Sequence, residues 1–349
     1  MKIAIIGGGF FGVTAAIKIK EKFPNYQIFI YEEKKDILLG ASGKNQFRCH
    51  AGYHYPRSQV TIKECQDSIL DFKLFFKDCF IKSKNYYAIS KENSKINFSD
   101  YINILEKNNL KYKIENNSLL KNNSIEGIIK VDEKLINIGK VRNLLHRKIK
   151  ELKINLKLNT KINLNYKFIN NNDKIILATY DKNNINLKET NLKTKQYHFQ
   201  LVEKIIVKVP KIYNGFSCVI IDGPFMCIDP YYKNSYSILG NVKQSVIKTQ
   251  NDHFYNFDDK YKLLLNNYNN NIEEKSKFDI LKNSFSKYFY DFEKVKYHSS
   301  FYVVRCTKKN PRDDRITGIT TGKKIIQIFS GKWINCMTTA NKIVKMLKS

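Results

Sequence analysis

The stretch that decides the fold is residues 1–33, which read Met1-Lys-Ile-Ala-Ile-Ile-Gly7-Gly-Gly9-Phe10-Phe11-Gly12 and run on through a polar-flanked apolar segment to Tyr31-Glu32-Glu33. Lys2 to Ile6 is a short apolar run suited to a buried parallel strand. Gly7, Gly9 and Gly12 follow without a gap. A helical pattern comes next, with Val13, Ala16, Ile17 and Ile19 apolar and Lys18, Lys20, Glu21 and Lys22 polar, ended by Pro24 and Asn25. Gln27 to Tyr31 reads as a second strand with Glu32 and Glu33 at its tip. This is the order of parts in a dinucleotide-binding βαβ unit. Gly7 permits the tight turn, Gly9 lets backbone approach a pyrophosphate, and Gly12 lets helix pack on strand. Phe10 and Phe11 open the helix, whose unpaired N-terminal amides and dipole favour phosphate. Glu32 lies twenty positions after Gly12, placed to accept hydrogen bonds from an adenosine ribose. An acid there disfavours NADP and leaves NAD and FAD both open.

Composition sets the outer bounds. A chain of 349 residues with 42% hydrophobic content has room for two globular domains. No window offers the ~18 uninterrupted apolar residues of a membrane span. Met1 abuts the first strand, leaving no room for a signal peptide, so the expected location is cytoplasmic. Cysteines at 49, 65, 79, 218, 227, 306 and 336 form no CxxC pair or zinc spacing, which fits reduced thiols. The net charge is +29, but the cations are mostly lysines scattered among abundant Asn and Ile, with arginine scarce. That mixture reads as coding bias rather than a nucleic-acid footprint, so a nucleic-acid partner is the weaker reading. His50 and His54 lie four apart without an HExxH pattern or clustered carboxylates, and no metal site is expected.

Beyond the first unit, residues 36–55 read as an ordered functional loop. Pro56 and Ser58 open a helix with Val60, Cys65, Ile69, Phe72, Phe76 and Phe80 on one face, read as core. Tyr86 to Ile89 reads as a strand and 116–124 as a surface loop. A second α/β passage puts a helix at Val141 to Leu152 and strands at Ile154 to Thr160 and Asp173 to Thr179. The pattern then turns antiparallel, with strands at Tyr197 to Val209, Ser217 to Ile221, Phe225 to Ile228 and Tyr236 to Val242. Residues 266–271 are Asn-rich, a helix is expected over Ile272 to Tyr290, and the C-terminus closes as strand Ile325 to Phe329, turn Ser330-Gly331 and a helix to Leu347.

Four places in the chain carry a family likeness. They are Gly7 to Glu32; Ala41-Ser42-Gly-Lys44-Asn45 followed by His50-Ala-Gly; Ile175-Ile-Leu-Ala-Thr179-Tyr180; and Arg305-Cys306, Asp313-Asp-Arg315 and Phe329-Ser-Gly331-Lys332-Trp333. Together they resemble the D-amino-acid oxidase-like superfamily of FAD-dependent oxidoreductases, which includes sarcosine and glycine oxidases, glycerol-3-phosphate dehydrogenases and 2-hydroxyglutarate oxidases. The resemblance implies an α/β plus β fold, a discontinuous Rossmann-like FAD-binding domain with an inserted, mainly antiparallel β substrate domain. The expected division is 1–82, 128–191 and 305–349 for FAD and 83–127 and 192–304 for substrate. It implies FAD as cofactor, held by Gly7, Gly9, Phe10, Phe11, Gly12, Glu32, Glu33, Ser42, Lys44, Asn45, Thr179, Gly331, Lys332 and Trp333. His50, Arg305 and Lys332 are its candidate catalytic residues. Phe47 and Tyr180 stand where relatives carry glycine. Cys306 invites comparison with the cysteine that tethers flavin in some sarcosine oxidases, against the plainer reading of a small buried thiol.

The chemistry implied is hydride transfer to flavin N5 from a C–H next to an amine or hydroxyl of a small, anionic substrate gripped by Arg305, Lys332 and Arg48. The alternatives are an enzyme acting on a modified nucleoside in tRNA and a flavin protein without net redox turnover. No Ser-His-Asp order, paired-carboxylate motif or Walker loop supports a hydrolase or kinase.

Overall fold

The computed structural model describes residues 1–187, 190, 192–223, 225–231, 235–265, 276–308 and 314–348. A six-stranded sheet runs in the order Gly318–Thr321, Ile325–Phe329, Lys174–Leu177, Lys2–Ile6, Gln27–Tyr31, Asn155–Lys157, parallel except for the first, which pairs antiparallel with its neighbour. Both faces of its central strands are covered. Ile3, Ile5, Ile28, Ile30, Ile176 and Ile328 face one core, with the helices Phe10–Lys22 and Cys336–Met346, while Ala4, Ile6, Ile175 and Leu177 face another with Leu164 and Leu187. Two-sided burial is why the first strand is an uninterrupted apolar run instead of an alternating one. Each of these isoleucines contributes about 1.5–3 kcal/mol by leaving water.

A nine-stranded sheet carries the other half of the molecule. Its long strands Tyr197–Lys208 and Lys296–Thr307 pair antiparallel along their whole length, and Tyr197–Lys208 also pairs with Tyr236–Asn241 and Val246–Asp252. Met226–Pro230, Phe216–Ile221, Lys84–Ser90, Ile125–Val131 and Tyr112–Ile114 extend it, with Phe216–Ile221 and Lys84–Ser90 the one parallel pair on this path. Two of its strands, Ile125–Val131 and Lys296–Thr307, run through residues 127–128 and 304–305. A small sheet of Arg48–Cys49, Lys134–Ile136 and Phe80–Ile81 pins the 36–55 loop to the rest.

The structure corrects several local expectations. Val60 is 46% exposed and Phe80 has left the helix for a strand, so the buried face of Gln59–Phe75 is Thr61, Ile62, Cys65, Ser68 and Phe72. Ser58 caps that helix by accepting from the Thr61 amide. The strand expected over 154–160 shortens to Asn155–Lys157, at the edge of its sheet. Of the helix expected over 272–290, Phe278–Ser286 is helical, while 272–275 and the Asn-rich run lie outside the described residues. No helix among the described residues is long and apolar enough to cross a membrane.

Candidate active site

A cavity of about 880 Å3 is lined from both large sheets. Every candidate catalytic or cofactor-binding residue read from the sequence lines it except Gly12. At one end the lining is backbone. Gly7 adopts φ +109°, a side chain there would strike the Ala178 backbone, and one on Gly12 would overlap the Gly7 carbonyl. Gly9 is different, because a Cβ there meets only the Ser42 hydroxyl, at 2.8 Å. The first turn of Phe10–Lys22 thus faces open space, with the Phe10 amide donating to Ser42 Oγ at 3.1 Å. Glu32 accepts from the Gly8 amide at 2.7 Å through Oε2 and from the Lys34 amide at 2.9 Å through Oε1. Glu33 is in a close ion pair with Lys182. Thr179 donates its hydroxyl to Asn183 Oδ1 at 2.8 Å. This cradle, open only because Cβ atoms are missing, fits the pyrophosphate of a dinucleotide such as FAD.

The 41–50 loop is held from within. Asn45 donates to the Ala41 and Ser42 carbonyls and accepts from the Phe47 amide at 2.6 Å, so its side chain shapes the loop. Lys44 reaches the carbonyls of Tyr302 at 3.1 Å and Leu265 at 3.4 Å, and burial, with Lys34 nearby, lowers its pKa to about 8. Phe47 and Tyr180 adopt φ +57° and +52°. The left-handed turns that suit glycine are therefore present with side chains on them, at a cost of order 1–3 kcal/mol each. Tyr180 uses its side chain: its hydroxyl donates to the Cys306 carbonyl at 2.8 Å and accepts from the Cys306 amide at 2.9 Å. Cys306 itself is a buried free thiol whose pKa burial pushes up.

Arg48 is committed mainly to buried partners of the protein itself. It is 1% exposed, and its Nε donates to Glu133 Oε1 at 2.9 Å while Nη1 donates to Asp229 Oδ1 at 2.6 Å and to Ser217. Glu133, itself fully buried, also accepts from the Tyr87 hydroxyl at 2.8 Å and the Ala51 amide at 3.0 Å. Two carboxylates already neutralise the guanidinium, which lies 5.0 Å from the Tyr87 ring centroid. It is a structural hub in the cavity wall, invisible to sequence spacing because its partners lie 85 and 181 positions away.

The opposite end of the cavity is built of side chains. Lys332, in the turn after Ile325–Phe329, sits with Nζ 4.4 Å from the Tyr55 ring centroid, and burial lowers its pKa to about 7. Gly331 positions that turn, since a Cβ on it would overlap the Arg315 carbonyl. Trp333 stacks on Phe10, centroids 5.0 Å apart. His50 lies with Nδ1 3.9 Å from Glu133 Oε1, beyond hydrogen-bond reach, and its ring is 4.6 Å from that of His54. Burial, then the charge of Lys332, holds both imidazoles well below their usual pKa, so both are neutral. Arg305 donates from Nε to Gln200 Oε1 at 2.7 Å. Asp313, which sequence grouped with Arg315, lies outside the described residues.

Sequence reasoning passed over His54, Tyr55, Arg315 and Lys204 as site residues. Lys204 is the one with a local signal: it is a lysine in mid-strand, in Leu201-Val-Glu-Lys-Ile-Ile-Val207, facing the cavity, with its pKa lowered by burial.

The comparisons with known proteins agree with this geometry. Residues 2–127 match the DAO family model, described as FAD dependent oxidoreductase. The FAD-dependent monooxygenase kojA of Aspergillus flavus is 35% identical over 72 residues, which is 21% of this chain and 16% of that protein. The match therefore spans under a fifth of the relative's length. Two solved structures share the fold over nearly the whole chain. Glycine oxidase from Geobacillus kaustophilus has a TM-score of 0.72 at 10% identity, covering 99% of this chain and 94% of its own. The L-alpha-glycerophosphate oxidase from Mycoplasma pneumoniae has a TM-score of 0.73 at 14% identity, covering 100% and 94%. The glycine cradle thus lies within the residues that match the DAO model, FAD dependent oxidoreductase, and the fold of the chain is the one these two oxidases share.

Proposed function

We propose that the protein binds FAD in the long cavity and dehydrogenates a C–H next to an amine or hydroxyl of a small anionic molecule. FAD, when bound, supplies the hydride acceptor. Gly7, Gly9 and the first turn of Phe10–Lys22 hold its pyrophosphate, Glu32 takes its ribose, and Trp333 and Gly331 wall the far end. The chain's other residues handle the substrate. Arg305 and Arg315 receive its oxyanion, and a guanidinium fixes a carboxylate or phosphate in two directions at once. Lys332 takes the amine or hydroxyl proton onto Nζ, a task suited to an amine whose pKa lies near neutrality. Neutral His50 and His54 line the same space without adding positive charge that would depress Lys332 further. The division into an FAD domain of 1–82, 128–191 and 305–349 and a substrate domain of 83–127 and 192–304 belongs to this proposal, as does a cytoplasmic location for a chain whose cysteines are free.

One observation carries the reading: a single cavity runs from a glycine-built phosphate cradle to the part-buried Lys332, with Arg305 and Arg315 in the same lining. The test is the absorbance spectrum of purified protein, followed by anaerobic mixing with N-methyl amino acids, amino acids, 2-hydroxy acids and glycerol 3-phosphate. Bleaching of the flavin by an anion in this set is the expected result. A colourless protein that takes up NAD and not FAD contradicts the proposal. Product analysis in the presence of oxygen separates dehydrogenation from oxygen insertion.

A further inference from the structure

The long cavity does not end at Lys332. A second cavity, of about 700 Å3, shares with it the lining residues His54, Phe225, Asn241, Arg305, Arg315 and Lys332. The two therefore meet where the substrate would react. Away from that seam the second cavity is rimmed by Arg57, Lys95, Lys243 and Lys287, against Glu92 and Asp222. Asp222 is already engaged, accepting from Arg57 Nε at 2.7 Å. The wall also carries two buried polar atoms without hydrogen-bond partners among the described residues, His54 Nδ1 and Tyr55 Oη. Buried polar groups are nearly always paired, so two together mark a place where a ligand completes the bonding.

Arginine usage points the same way. The chain has seven arginines among 61 Lys and Arg residues. Four of them, Arg48, Arg57, Arg305 and Arg315, line these two cavities. In a sequence where lysine is the default cation, arginine persists where a planar fork does what an ammonium does not. Arg48 uses its fork on buried carboxylates and Arg57 on Asp222. Arg305 and Arg315 stand at the seam itself.

We propose that the second cavity holds an anionic tail of the substrate, which is then an elongated molecule carrying a phosphate or carboxylate remote from the reacting carbon. This rests on the dehydrogenase reading for what happens at the seam, and adds a second anion site to it. A single-headed small acid would leave the basic rim without a task.

The test uses the FAD-loaded full chain, titrated calorimetrically at fixed ionic strength with inorganic phosphate and, separately, with glutarate. The triple variant Arg57→Gln/Lys243→Gln/Lys287→Gln is expected to weaken binding of the preferred probe about tenfold, the effect of one good charge-assisted hydrogen bond. The double variant Lys243→Gln/Lys287→Gln spares the Arg57–Asp222 pair, and so keeps the test decisive if the triple variant misfolds; about threefold is expected there. Lys345→Gln/Lys348→Gln, at the exposed C-terminal end, should bind as wild type. Tighter binding of phosphate assigns a phosphorylated tail, and tighter binding of glutarate a carboxylate tail. Unchanged binding in the cavity variants, equal weakening in the C-terminal control, or no binding of either probe to wild type overturns the proposal. Flavin bleaching on the same preparations separates the two readings. Bleaching with unaltered anion binding defeats the tail site alone. Weakened anion binding in a protein that no candidate substrate bleaches keeps the tail site and counts against dehydrogenation.

Discussion

The two ends of the long cavity are made of different material. The nucleotide end is backbone: four glycines within six residues, the first turn of one helix and the tip of the next strand. The substrate end is side chains from four separate segments, around residues 50–55, 204, 305–315 and 332. A backbone site needs particular residues to be absent from space, whereas a side-chain site needs particular residues to arrive there. The first is written locally in the sequence and the second only in the fold. The same contrast divides two cations of the cavity lining. Arg48 is neutralised by two carboxylates and serves structure, while Lys332 has an aromatic ring beneath it and, among the described residues, no carboxylate.

The most severe way to probe the backbone end is to put side chains on its glycines, and here two positions should behave differently. Gly9→Val leaves the protein folded, because the only atom in the way is the Ser42 hydroxyl, but it fills the cradle, so FAD uptake falls to nothing. Gly12→Val collides with the Gly7 carbonyl and should cost the fold as well. Thermal unfolding and flavin absorbance of both variants check this. If Gly9→Val retains yellow colour, the pyrophosphate does not lie over Gly9.

That contrast also explains what was legible. The βαβ unit, the long strand Tyr197–Lys208 and the closing Ile325–Phe329 strand were readable because each is set by local periodicity and glycine spacing. The glycine cradle followed from the same run of residues. The partners of Arg48 were not legible, because nothing in Gln46-Phe-Arg-Cys says that Glu133 and Asp229 will meet it in the interior. His54 and Tyr55 were passed over because their unpaired atoms appear only once the neighbouring strands are placed. Tyr180 and Phe47 stand where relatives of the resembled family carry glycine. Their positive φ shows that the turn survives, and that the side chains found other work at Cys306 and in the core.

At the substrate end the largest effect should come from Lys332→Met. Removing a general base typically costs about 10²–10⁴-fold in rate. The sign of the pH dependence follows from the lowered pKa: the amine accepts a proton only when neutral, so flavin reduction by substrate should accelerate as pH rises through about 7. In Lys332→Met that limb should disappear while FAD remains bound. Stopped-flow reduction from pH 5.5 to 9 measures it. A variant that keeps the limb assigns the base to another group.

Arg48→Met tests the other of these two cations, and its effect should fall on stability. Deleting one member of a buried ion cluster leaves uncompensated charge and costs about 3–5 kcal/mol. Glu133 and Asp229 would then face each other's field inside the core, so denaturant unfolding should show the loss at neutral pH. Substrate constants of the folded fraction should stay close to wild type. A stable Arg48→Met protein with a greatly weakened substrate constant would restore Arg48 as the anion grip.

The smallest effect, and the sharpest on substrate class, belongs to Arg305. Its Nε is anchored on Gln200 Oε1, so the guanidinium is held in a fixed orientation at the seam of the two cavities. Losing a charge-assisted grip should cost about 1.5–3 kcal/mol, or roughly 10–150-fold in the substrate constant. Arg305→Met keeps an unbranched apolar stem on the cavity face of the strand while removing every donor, so the flavin spectrum should be intact and the substrate constant raised. Arg305→Lys should recover only part of the loss, because an ammonium supplies charge without the planar fork. The three constants together separate the contributions. If Lys restores binding fully, Arg305 acts as a point charge. If Met changes nothing, the oxyanion is received by Arg315 or Lys204, and the substrate lies further toward the second cavity than the position of Arg305 implies.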